Sequence, residues 1–181
     1  MSQFKDPRKV RIPCRFSFLH CWEPAAIDGS EPKYSVSAII PKSDTATINR
    51  IKAAIEIAKK EGVSKWGGKI PATLKLPLRD GDIERPGDEA YKNSYFVNAN
   101  SREKPQVVDA DVVTITDQSA VYSGCYGKIT VTFYAFNANG NRGIAAGLGN
   151  IQKLRDGDSL GGRAKASEDF EPVDDDEDFL E

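Results

Sequence analysis

Rings and cations stand side by side in three stretches of this sequence. Lys65-Trp66 is followed by Lys69 across two glycines. Tyr91 adjoins Lys92, with Tyr95 close behind, and only Gly127 separates Tyr126 from Lys128. An aromatic face can stack on a planar base for about 1–3 kcal/mol, and lysine or arginine can neutralise a phosphate. That chemistry is non-covalent. At every ring it competes with a plainer expectation, because aromatic side chains are more often packed inside a protein than offered to a ligand. Trp66 is the best stacking candidate, since lysines and glycines give it few apolar neighbours. Arg142 adds a further cation at the start of a later strand. Phe16, Phe18 and Phe133 read as core residues by their alternation.

Covalent and metal chemistry find little support. His20 is the one histidine, and no G-x-S-x-G or papain-like context surrounds it. Cys14, His20, Cys21 and Cys125 lack the knuckle spacing of a zinc site. Asp80, Asp82 and Glu84 could hold a divalent cation, as a nuclease would need. As a calcium loop the stretch fails, with Arg85 where the glycine belongs and Tyr91 where the final glutamate belongs. An acidic turn is the preferred reading. No phosphate-binding glycine motif occurs. Neither an enzyme activity nor a metal or other cofactor is expected.

The elements that would position the rings are mostly strands. Tyr122–Phe136 is rich in β-branched and aromatic residues. Read with period two, Cys125, Ile129, Val131, Phe133 and Ala135 form a core face interrupted by Gly127. Tyr126, Lys128, Thr130, Thr132, Tyr134 and Phe136 form the other, an unusual mixture for a wet face. Ile12, Cys14, Phe16 and Phe18 alternate with polar neighbours as an earlier strand, and 33–40 is a second. Apolar residues at 48, 51, 54, 55 and 58 predict a helix over 44–61, capped by Ser43 or Asp44 and stopped at Gly62. Residues 64–89 are loop-rich, and a loop of that length is more often functional than idle. Residues 91–99 and a short segment within 105–116 complete the strands before the anchor. Residues 142–148 return as its hairpin partner after an Asn-Gly turn, with Gly143, Ala145 and Gly147 on one face. Such small side chains admit a ligand or another backbone. Strands outnumber helices and do not alternate with them, so a β-barrel with one inserted helix is expected.

Charge is segregated along the chain. The formal net charge is -2, yet nine of the 27 acidic residues lie in the last fourteen positions, with no basic residue among them. The preceding 167 residues carry all 25 basic side chains and a formal charge of about +7. A basic body suits a polyanion, and an acidic tail can compete with one. The competing view is a tail that serves solubility. No run approaches the length of a membrane helix, and 1–13 lacks the apolar stretch of a secretory signal. Three irregularly spaced cysteines form no disulfide framework, so a reducing, intracellular setting is expected.

Several ordered blocks then carry a resemblance. LPLRDGD, RPGDEAY, SYFVNANS, VYSGCYGKITVTFYAFN, GIAAGLGNIQKLRDGDSLGGR and an acidic end containing Phe179 together resemble the phage single-stranded DNA-binding proteins of the T7 type, a family once catalogued only as a domain of unknown function. The resemblance spans about 10–181. It implies an OB-like barrel with an inserted helix and an acidic tail; the barrel is expected over 1–162, and 163–181, with little to bury, as a disordered acidic tail. It also implies sequence-independent binding of single-stranded DNA through two aromatic stacks and basic contacts, in phage replication or recombination within the host cytoplasm. Lys65, Trp66, Lys69, Tyr91, Lys92, Tyr95, Tyr126, Lys128 and Arg142 are the binding residues suggested by local context. Asp174, Asp175, Asp176, Glu177, Asp178 and Phe179 would engage replication proteins and compete with DNA. Phe179 is followed here by Leu180 and Glu181, so the aromatic is not terminal. Self-association is compatible with this reading. The alternatives are an interaction or virion-assembly module whose rings form a subunit interface, and a metal-dependent nuclease.

Overall fold

Alternation in the sequence becomes a closed sheet. A computed structural model describes residues 4–26, 29–160 and 171–173. The first strand, β1, covers Lys9–Ala25 and pairs antiparallel with β2, Lys33–Pro41. On its other side β1 pairs with β6, Tyr126–Ala138, and β6 forms a long hairpin with β7, Asn141–Arg155. β4, Ser94–Ser101, lies antiparallel to β2. It also meets β7 in parallel, Ala99 opposite Ala146 and Asn100 opposite Gly147. That last pairing closes a five-strand barrel in the order β1, β2, β4, β7, β6, an OB-type arrangement. Two short strands extend the sheet, β3 (Leu78–Asp80) on β4 and β5 (Val107–Val108) on β7.

The inner face follows period two. Ile12, Phe16, Val36, Ala38, Ile40, Val97, Ile129, Val131, Phe133 and Ile144 are almost wholly buried. The expected helix, α1, spans Thr45–Glu61, with the Asp44 carboxylate accepting from the Thr47 N–H at 3.2 Å. Its buried stripe of Ile48, Ile51, Ala54, Ile55 and Ala58 joins the barrel core and packs on β1, β6 and β7. A second helix of a single turn, α2 (Gly81–Glu84), was not anticipated, because four residues are too few to show periodicity.

Other departures have local causes. Tyr91 belongs to a 3-10 turn over Glu89–Tyr91 rather than to a strand, because Asp88 caps that turn and β4 starts at Ser94. β7 runs on to Arg155 because Gln152 and Arg155 still pair with β6. The small face of β7 admits another backbone, as expected. A side chain at Gly143 would collide with the Lys75 carbonyl oxygen, and Lys75 bonds to its neighbours Arg142 and Ile144.

The segment after α1 is a plug. Val63–Trp66 forms a 3-10 turn, and Trp66 is 6% exposed. Its Nε1 donates to the Phe136 carbonyl at 3.0 Å, and Lys65 Nζ donates to the Ala135 carbonyl at the same distance. The asparagine at 137 returns the contact through Nδ2 to the Lys65 carbonyl. The expectation that Trp66 stands free is therefore corrected. α1 and the end of β6 supply the apolar wall that its sequence neighbours lack.

Two outcomes follow for stability. Ile51→Ala should lower the unfolding free energy by about 2–5 kcal/mol in a urea titration, through lost burial and a residual cavity. Trp66→Ala should cost about 3–5 kcal/mol by the same measurement. An unchanged midpoint for the second variant would return that ring to the surface.

Candidate nucleic-acid interface

Strand register builds a row of three side chains outside the barrel. Arg15 of β1 pairs with Tyr126 of β6, and Tyr126 pairs with Arg155 of β7. All three sit on the face opposite the buried residues, so they project together. The Arg15 guanidinium carbon lies 5.2 Å from the Tyr126 ring centroid, and that of Arg155 lies 4.0 Å from it. A cation over a ring face is held by the ring quadrupole, and arginine stays charged throughout the working pH range. Arg15 is further pinned by its own donors, Nε to the Gly124 carbonyl at 3.1 Å and Nη2 to the Asp158 carbonyl at 2.8 Å.

The row borders an open cleft of about 430 Å³. Pro13, Ile39 and Leu154 give it apolar walls, and Arg15, Tyr126 and Arg155 give it a ring and two cations. Gly127 lets the strands pack here, because a side chain at that position would collide with the Gln152 carbonyl oxygen and the Phe16 ring. The cationic face continues up β1. Lys9 and Arg11 alternate with buried Val10 and Ile12, and both cations lie over the Phe4 ring, at 4.7 and 5.3 Å. Lys128 is half-buried on the same outer face of β6, opposite Pro13.

The sequence candidates divide into groups. Tyr126 and Lys128 belong to this face. Tyr91 does not, and its expected stacking role is corrected. It is 1% exposed, donates its hydroxyl to Ser37 Oγ at 3.0 Å and packs edge-on against Phe96 at 5.1 Å. With Ile39, Ala90 and Leu160 it forms an apolar roof over the outside of β2 and β4. The competing view of covered rings therefore holds there. Tyr95 is half-buried at the barrel edge, with Lys42 Nζ 5.3 Å from its ring centroid. Lys92 is exposed beside a separate cleft with Arg85 and Asp88. Lys65 is held at the plug, Lys69 is exposed in the loop beyond it, and Arg142 is exposed at the hairpin turn. None of these last four lines the Tyr126 cleft. Asp174 to Phe179 lie outside the described residues.

Arg11, Arg15 and Arg155 escaped the sequence reading. Period two extended back from Ile12 would have placed Lys9, Arg11 and Arg15 on one outer face. Arg155 offered no such signal, because the register between β6 and β7 shifts beside Tyr126. Phe18 reads as core by its alternation with Phe16, and the structure overturns this: the residue is 55% exposed. A bulge in β1 between Ser17 and His20 changes which face it takes.

The acidic stretch is occupied by protein. Lys42 Nζ bonds to Asp80 at 2.9 Å and to Asp82 at 2.8 Å, and the lysine beside them holds both carboxyls below their usual range. Asp80 also caps α2, Asp82 accepts from the Asn93 N–H, and Glu84 pairs with Arg79. The three cysteines are buried thiols; burial pushes Cys21 up to about 12 and Cys14 in the same direction. Such groups behave as small apolar side chains rather than nucleophiles. Among the described residues no three of His, Cys, Asp or Glu gather as metal ligands, and no helix is long and apolar enough to cross a membrane.

Comparison with known proteins bears on the fold and the family. A putative protein p50 of Acyrthosiphon pisum secondary endosymbiont phage 1 is 34% identical over 171 residues, covering 88% of this chain and 90% of that one. The single-stranded DNA-binding protein from bacteriophage Enc34, solved in complex with ssDNA, superposes with a TM-score of 0.77 at 23% identity, covering 89% of this chain and 97% of that one. The T7 single-stranded DNA-binding protein gp2.5 superposes with a TM-score of 0.59 at 13% identity, covering 90% of this chain and 96% of that one. At those identities the two structures speak for the fold. The model of the Enterobacter phage Enc34 ssDNA-binding protein family matches residues 9–180, nearly the whole chain. The chain belongs to that family.

Proposed function

We propose that this protein binds single-stranded DNA without sequence preference, as a non-enzymatic replication or recombination protein of a phage acting in the host cytoplasm. The observation that carries the reading is Tyr126 flanked by Arg15 and Arg155 over an open, partly apolar cleft. A base that enters can stack on the ring while its phosphates meet the guanidinium groups. The wider stripe of Lys9, Arg11 and Lys128 gives the backbone further cations to follow. Stacking and phosphate contact read no base edges, which is why sequence independence follows from this chemistry. Membership of a family named for ssDNA binding supports the same conclusion.

A nuclease reading gains nothing from the acidic stretch. An ammonium already sits between Asp80 and Asp82, where a catalytic cation would have to go. The acidic tail fits a competitor for the basic face and a docking segment for replication proteins, with Asp174–Asp178 supplying charge and Phe179 an apolar anchor.

Fluorescence anisotropy with a labelled oligothymidine tests the core of the proposal. Binding should weaken steeply with salt, with a slope of about −0.7 in log Kd-derived affinity per phosphate neutralised. Tyr126→Ala should cost about 1–3 kcal/mol of binding. Arg155→Ala should weaken binding and flatten the salt slope. No binding at low salt by the protein lacking 168–181 would end the ssDNA reading.

The tail is tested by the same titration. Removing 168–181 takes away nine negative charges and should tighten binding at low salt, with the difference shrinking as salt rises. Equal affinity with and without those residues would mean that the tail does not compete for the cationic face.

A further inference from the structure

Two loops anchored on one edge of β7 carry opposite charge. β7 faces β6 along one side, and on its other side it meets three segments in turn. Lys75 bridges Gly143 near its start, β4 meets it at Ala146 and Gly147, and β5 pairs with Ile151 and Gln152 near its end. Gly143 is level with Phe136 of β6, and Gln152 is level with Lys128. From residue 128 to residue 136 is eight steps of about 3.3 Å, so the two anchor points lie about 26 Å apart.

At the β5 end stands an acidic, apolar knob. Residues 105–125 hold three acidic side chains, Asp109, Asp111 and Asp117, and no basic one. The loop after β5 is locked at its base. Asp109 Oδ1 accepts from the N–H groups of Asp111 and Val113 at 2.9 and 3.0 Å, and the Asp109 N–H donates to the Val113 carbonyl at 2.9 Å. Gln152 Nε2 donates to the carbonyls of Asp109 and Ala110. Val112 then takes a φ of +62°, a region that β-branched residues seldom enter. It is 70% exposed and Val113 is 59% exposed, so burial does not offset the strain. A fixed loop thus presents two valines to solvent beside Asp111.

The other end carries the complement. Residues 62–79 hold four basic side chains and no acidic one, and residues 126–155 do the same. Lys69, Ile70, Lys75 and Leu76 are exposed on the loop that Lys75 anchors, and Arg142 is exposed beside it. The Lys75 N–H donates to the Arg142 carbonyl at 3.0 Å, and Lys75 Nζ donates to Asn141 Oδ1 at 3.3 Å. Among the described residues no carboxylate pairs with Lys69, Lys75 or Arg142, and the Tyr126 cleft uses none of them.

We infer that these surfaces are the two halves of a head-to-tail contact between neighbouring copies of this chain on one strand of DNA. Val112, Val113 and Asp111 of one copy seat against Ile70, Leu76 and the cations of the next. Such a contact joins unlike surfaces and, repeated by translation along β7, does not close. Charge fixes its polarity, because knob against knob brings carboxylates together and patch against patch brings cations together. The inference rests on the ssDNA reading above. The body of each copy, about +7 over residues 1–167, repels its neighbours until phosphates neutralise it.

The test uses the full chain and two labelled oligothymidines, of about 10 and about 60 nucleotides, which offer one site and several. Affinity per site should be about 5- to 150-fold higher on the longer one, the usual range of coupling between sites. Val112→Gly removes one valine and relieves the positive φ, so its melting temperature should stay level or rise. This variant should lose most of the gain and keep the wild-type affinity for the short oligomer. Lys75→Gln, on the opposite surface, should behave alike. Equal affinity per site on both lengths in the wild type would overturn the contact, as would a loss on the short oligomer or an undiminished gain in both variants. A zero-length carbodiimide, which condenses a carboxylate with an amine and expels water, gives a second readout. On the long oligomer it should join Asp111 to Lys69 or Lys75. With anchor points about 26 Å apart in one copy, that link reports two copies. Its absence would overturn the contact, and links from those lysines to carboxylates of 168–181 in its place would assign the patch to the acidic tail instead. Failure of the wild type to bind either oligomer would overturn the ssDNA reading together with the contact, whereas binding without the gain would remove the contact alone.

Discussion

The barrel depends on a contact of only two residue pairs. Ala99 meets Ala146, and Asn100 meets Gly147, where β4 and β7 run in parallel. The alanines at this seam are buried, and larger side chains would hold the strands apart. Closure removes two free strand edges and fixes the register of every neighbouring strand. A slip of one residue would move each side chain to the opposite face. The outward row of Arg15, Tyr126 and Arg155 is therefore a consequence of the same closure that buries Ile12, Ile129 and Ile151.

With the inside full, function falls to the outer surface, and that surface is divided. Over β2 and β4 it is roofed by Tyr91, Phe96, Ile39 and Leu160. Along β1, β6 and the end of β7 it is open and cationic. Rings occur in both regions, but their surroundings differ. Tyr91 meets a hydroxyl and another ring, and Trp66 meets a backbone carbonyl and the core. Tyr126 meets two guanidinium groups and a cleft. A ring with its polar atom satisfied and its faces covered contributes to stability, whereas a ring held between cations beside open space is prepared for an anionic, planar partner.

Irregularities in the strands adjust this surface. The bulge in β1 turns Phe18 outward, and the register shift between β6 and β7 brings Arg155 level with Tyr126. The segment after β7 then crosses the same region. Tyr122 donates to the Gly157 carbonyl at 3.0 Å, Arg15 donates to the Asp158 carbonyl, and the Leu160 N–H donates to the Ser123 carbonyl at 2.9 Å. Backbone carbonyls thus orient Arg15 without neutralising its charge, which leaves its full electrostatic effect at the cleft.

Local patterning alone determined the barrel strands, the helix with a cap at Ser43 or Asp44, the inner faces and the segregation of charge, because each depends on spacings of a few residues. Tyr126 and Lys128 were legible as outward residues for the same reason. Ordered blocks of sequence carried the family resemblance. Tertiary structure decided which rings are available. Trp66 looked solitary among lysines and glycines until α1 and β6 closed around it, and Tyr91 was covered by Ile39 and Leu160, 52 and 69 positions away. Arg15 lies 111 positions before Tyr126 and Arg155 lies 29 after it, and only register aligns the three. Phe18 followed the core alternation in sequence, yet one extra residue in the β1 ladder reversed its face. Period two is a local property, whereas exposure depends on what the closed barrel brings to the other side of each ring.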